Sequence, residues 1–229
     1  MNAETRKTVL VTGADRGVGF SLCECFLENG WFVFAGQYMP EWKQLTELLE
    51  QYPEQLKIIP LDVGNTGSVR SAAELVGEFA DHIDLLVNCA GISRGDMHDI
   101  INVNVTGALR TVELFLPLMQ RGMKRIAFFS SECGSIAVSH RNDGFAYPVS
   151  KTALNMTVRH MFRALQPRGY TFRLYHPGWV RSYMSGQKST VGNFEPEEAA
   201  EVAYRQFTED FEVEDILVMR DISGEMWPY

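Results

Sequence analysis

Tyr147 and Lys151 stand four residues apart in a segment with helical apolar spacing, which puts both side chains on one face. A phenol titrates near pH 10, about where it does little near neutrality, and a neighbouring ammonium favours its ionised form. The pair therefore suits proton transfer at a substrate oxygen. Alone it is an ordinary helical neighbour pair. Ser130 and Ser131 follow an apolar run at 125–129, where a hydroxyl can bond the same oxygen; Ser135, twelve residues before Tyr147, competes for that role from farther along the chain. Asn88-Cys89-Ala90-Gly91 closes another apolar run, and Asn104 with Gly107 lies in a predicted helix, where a buried amide is costly unless bonded.

A second group sits directly after the first apolar run: Thr12-Gly13-Ala14-Asp15-Arg16-Gly17-Val18-Gly19, leading into an apolar helix from Phe20. Glycines let the backbone approach a pyrophosphate, and the unpaired amides at a helix start attract the anion. The next run ends at Ala35-Gly36-Gln37-Tyr38, with no acid to hold an adenosine ribose hydroxyl. Absence of that acid removes a repulsion against a 2′-phosphate, and Arg16 offers it a positive partner. The pattern favours NADP over NAD.

These groups need a frame. Short β-rich runs at 8–11, 31–35, 56–61, 83–87, 125–129, 171–175 and 216–219 predict seven strands; apolar positions at three- and four-residue spacing predict helices over 17–29, 41–51, 66–79, 98–120, 147–165 and 196–208. Such alternation implies an α/β fold, a doubly wound parallel sheet with helices on both faces, in a single domain over 1–229. Ligands of such sheets bind beyond the carboxyl ends of the strands, which is where the groups above collect. The least regular stretch, 181–196, rich in Ser, Gly, Thr and Asn, suits a mobile loop beside the site.

In this order, T-G-x-x-x-G-x-G at Thr12 to Gly19, N-C-A-G at Asn88 to Gly91, N-V-T-G at Asn104 to Gly107, Ser131, Y-x-x-x-K at Tyr147 to Lys151 and Pro177-Gly178 resemble the classical short-chain dehydrogenases/reductases. Tyr147 to Met156 and His176-Pro-Gly-Trp-Val180 look most like the sniffer-like carbonyl reductases. The resemblance implies a Rossmann fold and hydride transfer between a nicotinamide cofactor and a carbonyl or alcohol. It implies that Tyr147 is the general acid in reduction, that Lys151 holds the nicotinamide ribose and lowers the phenol pKa, that Ser131 orients the substrate oxygen, and that Asn104 supports a water-linked relay to Lys151. Gly13, Asp15, Arg16, Gly17, Val18 and Gly19 would hold the phosphates, Asp62 and Val63 would face the adenine, and Asn88, Ala90 and Gly91 would line the cofactor. Pro177, Gly178 and Val180 would stand near the nicotinamide, with Ser182 bonding its carboxamide. It also implies a homodimer or homotetramer.

The chain departs from that pattern twice. The interval from Asn88 to Asn104 is short, which predicts an open pocket, and Tyr147 lies sixteen positions after Ser131, with His140-Arg141-Asn142-Asp143-Gly144 as the predicted insertion.

A net charge of −8 argues against nucleic acid and anionic membranes as partners. The apolar stretch after Arg6 and Lys7 is too short for a secretory signal, and Cys23, Cys25, Cys89 and Cys133 form no C-x-x-C pair, so reduced thiols, no metal site and a cytoplasmic location are expected. The leading expectation is an NADP-dependent reductase of a small carbonyl. The alternative from another class is a nicotinamide-binding regulatory protein with little turnover. Nucleotide-sugar epimerases and dehydratases also use Tyr and Lys, but resemble longer chains with a different glycine spacing.

Overall fold

A computed structural model describes residues 6–140 and 142–229. Eight strands form one sheet: β1 (Thr8–Val11), β2 (Phe32–Gln37), β3 (Leu56–Pro60), β4 (Leu85–Asn88), β5 (Arg125–Phe129), β6 (Thr171–His176), β7 (Met219–Asp221) and β8 (Met226–Trp227). Their order is β3-β2-β1-β4-β5-β6-β7-β8, parallel throughout except for the antiparallel β7–β8 pair.

The strands are apolar on both faces, and alternate residues feed two cores. Leu10, Leu86, Ile126 and Phe128 point to one core, which α3 (Thr66–Phe79), α5 (Ala108–Phe115) and α6 (Ala146–Leu165) cover with Val69, Val112 and Val158. Val9, Val11, Leu85, Val87, Ala127 and Phe129 point to the other, beneath α1 (Gly17–Glu28), α2 (Gln44–Gln51) and α7 (Pro196–Thr208). Continuous apolar runs are what burial on two faces demands. The chain reverses its winding after β3, leaving the ends of β1 and β4 facing a crevice between the two halves, as doubly wound sheets do.

Three expectations need correction. The last parallel strand begins at Met219, not Ile216: Ile216 is 59% exposed, and the sheet is joined only where Leu174 pairs with Met219. The sheet has an eighth strand beyond the seven predicted, because the Asp221 carboxylate accepts from Ser223 N, Glu225 N and Trp227 Nε1 and folds the chain back as β8. The predicted helix over 98–120 is composite: α4 (Met97–Ile101), a π-helical turn at Asn102–Gly107, α5, then a tighter turn at Leu116–Met119 that holds Pro117.

The irregular stretch 181–196 forms no helix or strand before α7, and is fastened at its base where Val180 bridges Phe194. Of the predicted insertion, Arg141 lies outside the described residues; His140 and Asn142 to Gly144 are exposed.

Candidate active site

The chain leaves β1 at Val11 and turns at once. Thr12 N donates to Val87 O (3.0 Å), and the Thr12 hydroxyl accepts from the amides of Cys89 and Ala90 at 3.1 and 3.0 Å, joining the turn to the segment after β4. Gly13 adopts φ +66°, and a Cβ there would lie 2.8 Å from Ala90 Cα; a Cβ on Gly19 would lie 2.2 Å from Gly13 O. Helix α1 starts at Gly17 with no side-chain cap and no acid in its first turn. Its first amides are thus left to an anion, in a cradle that only glycines permit.

Asp15 and Arg16 do different work from one another. The buried Asp15 carboxylate accepts from Tyr38 N (2.9 Å) and Met39 N (2.8 Å), fixing the turn after β2; burial raises its pKa, against the pull of those bonds. The Arg16 guanidinium lies over the ring of Trp42, 4.7 Å from its centroid. Asp62 lines the same cleft, its carboxylate accepting from Gly64 N (2.8 Å), beside Val63.

The cleft measures about 950 Å³ and continues past Ala90 and Gly91 to a wall built from three other segments. Ser131 follows β5; its hydroxyl donates to Glu132 Oε2 (2.8 Å) and accepts from Cys133 N (3.3 Å). Tyr147 and Lys151 come from the first turns of α6. Lys151 is buried, its Nζ donating to Phe129 O at 2.8 Å and lying 5.7 Å from the Tyr147 ring centroid. Burial brings its ammonium down to about 8. The third segment, after β6, contributes Pro177, Gly178, Val180 and Ser182.

Two predicted residues stand behind the wall. Asn104, on the π-helical turn, bonds Ile92 in both directions (2.8 Å each) and donates to Ser150 Oγ (2.9 Å), which donates to Tyr147 O (2.7 Å). A Cβ on Gly91 would lie 3.3 Å from Asn104 Oδ1 and 3.9 Å from Lys151 Nζ, so the glycine keeps open the space between the two groups. Asn88 donates weakly to Ala127 O (3.4 Å), and its buried Oδ1 has no hydrogen-bond partner within the protein. Ser130 turns toward Asn155 (2.6 Å), and Ser135 does not line the cleft.

Sequence reasoning passed over Glu132 and Trp42. Glu132 lines the cleft next to Ser131, and His176 Nε2 lies 3.7 Å from its Oε2; burial lowers the His176 pKa and favours the neutral ring. Its adjacency to Ser131 was the available signal. Cys89 faces the cleft too, but burial pushes its thiol up to about 12, which leaves it a poor nucleophile.

The model of the short chain dehydrogenase family matches residues 7–191. The chain belongs to the short-chain dehydrogenase family. An uncharacterised oxidoreductase of Schizosaccharomyces pombe is 33% identical over 197 residues, spanning 80% of this chain and 77% of that one. Among solved structures of this fold, the NADPH-bound carbonyl reductase from chicken fatty liver superposes with a TM-score of 0.86 at 25% identity, over 98% of this chain and 99% of that one. Carbonyl reductase Sniffer of Drosophila melanogaster gives 0.87 at 19% identity, over 98% and 100%, a likeness of fold. The protein is thus an oxidoreductase of this family, and among its described residues no helix is long and apolar enough to cross a membrane.

Proposed function

We propose that the protein reduces a small aldehyde or ketone with NADPH, the reverse alcohol oxidation being open to the same groups. One observation carries the reading: Ser131, Tyr147 and Lys151, from two separate segments, meet on one wall of a cleft whose far end is the uncapped start of α1. A nicotinamide cofactor fits that shape, because the close glycine turn at Gly13 to Gly19 ends at the uncapped start of α1, whose free amides suit a phosphate. Arg16, with no acid at the end of β2, supports NADP(H) over NAD(H). So does the NADPH carried by the chicken carbonyl reductase.

When bound, the cofactor supplies or accepts the hydride. Tyr147 gives its phenolic proton to the carbonyl oxygen, and the Lys151 ammonium stabilises the phenolate left behind. Ser131 holds the substrate oxygen once its hydroxyl turns from Glu132. Asn104 fixes Ile92 and, through Ser150, the backbone of Tyr147, and borders the space by which a proton returns toward Lys151. Gly13 to Gly19 hold the phosphates, Asp62 and Val63 the adenine, Asn88, Ala90 and Gly91 the middle of the cofactor, and Pro177, Gly178, Val180 and Ser182 the carboxamide end.

The same reading places two or four copies together, supported by exposed Phe145, Val149 and Met156 on or beside α6, and places them in the cytoplasm, where four free thiols persist. The deciding experiment titrates the protein with NADPH and NADH and follows cofactor absorbance over a panel of aldehydes, ketones and quinones. NADPH-dependent consumption that falls at least about 100-fold in Tyr147→Phe is expected. Full activity in that variant overturns the mechanism; binding without consumption across the panel favours a cofactor-sensing protein instead.

A further inference from the structure

Trp42 precedes α2, although the predicted helix over 41–51 includes it, and it belongs to a turn: Trp42 N donates to Met39 O (3.1 Å), and Asp15 pins the start of that turn through the amides of Tyr38 and Met39. The indole is therefore set beside the phosphate cradle by the cradle's own carboxylate. One contact of the indole is the Arg16 guanidinium, at 4.7 Å. Another is the ring of Tyr183, edge-on at 5.4 Å and 83°. Tyr183 arrives from the opposite side of the cleft, in the segment after β6, and its Cδ2 comes within 3.4 Å of where a Cβ on Gly17 would stand.

The base of that segment is fastened separately. Arg181 N donates to Phe194 O (2.9 Å), and Glu195, at the start of α7, pairs with Arg181 at 2.6 Å and Lys188 at 2.9 Å. A strap rooted at α7 thus carries an aromatic tip to the first residue of α1, on the far side of the cleft.

We infer that Trp42 and Tyr183 are specificity-determining residues that latch this strap, coupling a 2′-phosphate on Arg16 to closure over the cofactor. The inference rests on the NADP reading above. A guanidinium stacked on a ring keeps its N–H edge free for bidentate phosphate pairing. A phosphate on that edge fixes the guanidinium plane, the plane fixes the indole, and the indole holds the ring of Tyr183 against α1. A cofactor lacking the phosphate leaves Arg16 to a half-exposed cation–π contact, which is weak. Coupling of this kind is reciprocal: the latched strap retains the phosphorylated cofactor as much as the phosphate retains the strap.

The test compares dissociation of NADPH and NADH, by stopped-flow nicotinamide fluorescence, from the natural protein, Trp42→Leu and Tyr183→Ser, with Trp42→Phe as a gentler change should the first fail to fold. NADPH release is expected to quicken about three- to tenfold in the variants, with NADH release unchanged. NADPH, and not NADH, is also expected to slow tryptic cleavage after Lys188 in the natural protein alone. Variants that release NADPH at the natural rate, or release both cofactors faster by the same factor, overturn the latch. Slower release of NADH than of NADPH from the natural protein is a different result: it overturns the NADP reading, and the latch with it.

Discussion

Lys151 carries the sharpest consequence at the scale of single residues. Its ammonium, brought down to about 8 by burial, is mostly charged at neutrality and loses its proton as pH rises through that value. Carbonyl reduction needs both that charge and the phenolic proton, so kcat/KM for reduction should hold below pH 8 and fall above it. Lys151→Met should remove that limb and lower the rate at least about 100-fold, read from a pH–rate profile. Glycines separate crowding from conformation. In Gly19→Ala the new methyl would meet Gly13 O at 2.2 Å, so backbone must move; the expected cost is about 1–3 kcal/mol, with a larger loss of cofactor affinity. Gly30, at φ +79° with nothing within 4 Å, should lose only about 1–2 kcal/mol on the same change and bind as before. Denaturant unfolding beside cofactor titration distinguishes the two. Much of the candidate site was legible at this scale because the Gly13–Gly19 turn, Ser131 and Pro177-Gly178 directly follow strands and Tyr147 and Lys151 share one helix face; the meeting of Trp42 with Tyr183 was not, since it depends on a chain reversal and a long loop that no local spacing records.

Buried arginines organise one group of elements. Arg125 on β5 and Arg173 on β6 reach the C-terminal end of α7 and the loop after it, where Arg125 bonds Asp210 and Arg173 bonds Glu214, both at 2.5 Å. Burial pushes the Glu214 carboxyl up, but Arg173 and the Phe211 amide outweigh it and hold it below the usual range; Arg125 does the same for Asp210. A depressed carboxylate stabilises the fold above its unfolded pKa and ceases to as pH falls through the folded value. Glu214→Gln should therefore destabilise by about 1–3 kcal/mol at neutrality, and the difference should shrink as pH falls through the lowered folded pKa of Glu214, followed by urea unfolding across pH. Element boundaries were plain where apolar pattern and capping agree, as for β1, β5, α3 and α7, which run as their spacing predicts. They failed at β7, where apolar Ile216 and Leu217 precede the strand and a charged Arg220 sits inside it, and at 98–120, where a periodic pattern hides the π-turn that turns Asn104 inward.

The whole molecule is two cores closed around one sheet with its binding groups outside the cores, so a ligand that fits should add stability without changing the fold. At a free NADPH concentration of 100 Kd the gain is about 2.7 kcal/mol, which for a chain of this length raises the melting temperature by about 5–10 °C. NADH at the same concentration should raise it less, and calorimetry with each cofactor checks the order. Fold class was readable from alternation alone, because a run apolar on both faces has few places to go other than a covered parallel sheet. The eighth strand escaped notice since two residues carry no period.

That short strand also decides what the sheet shows to other chains. At one margin, β3 ends in Pro60, which has no amide to donate; at the other, β8 covers β7 and presents only Met226 and Trp227 as a pairing surface. The hydrogen-bonding rims of the sheet are thus blunted, which keeps strands of separate molecules from zipping together. Removing residues 226–229 would strip the cover from Met219 to Asp221 and free the Asp221 turn. The shortened chain should keep its fold yet scatter light increasingly on standing at concentrations where the intact protein stays clear.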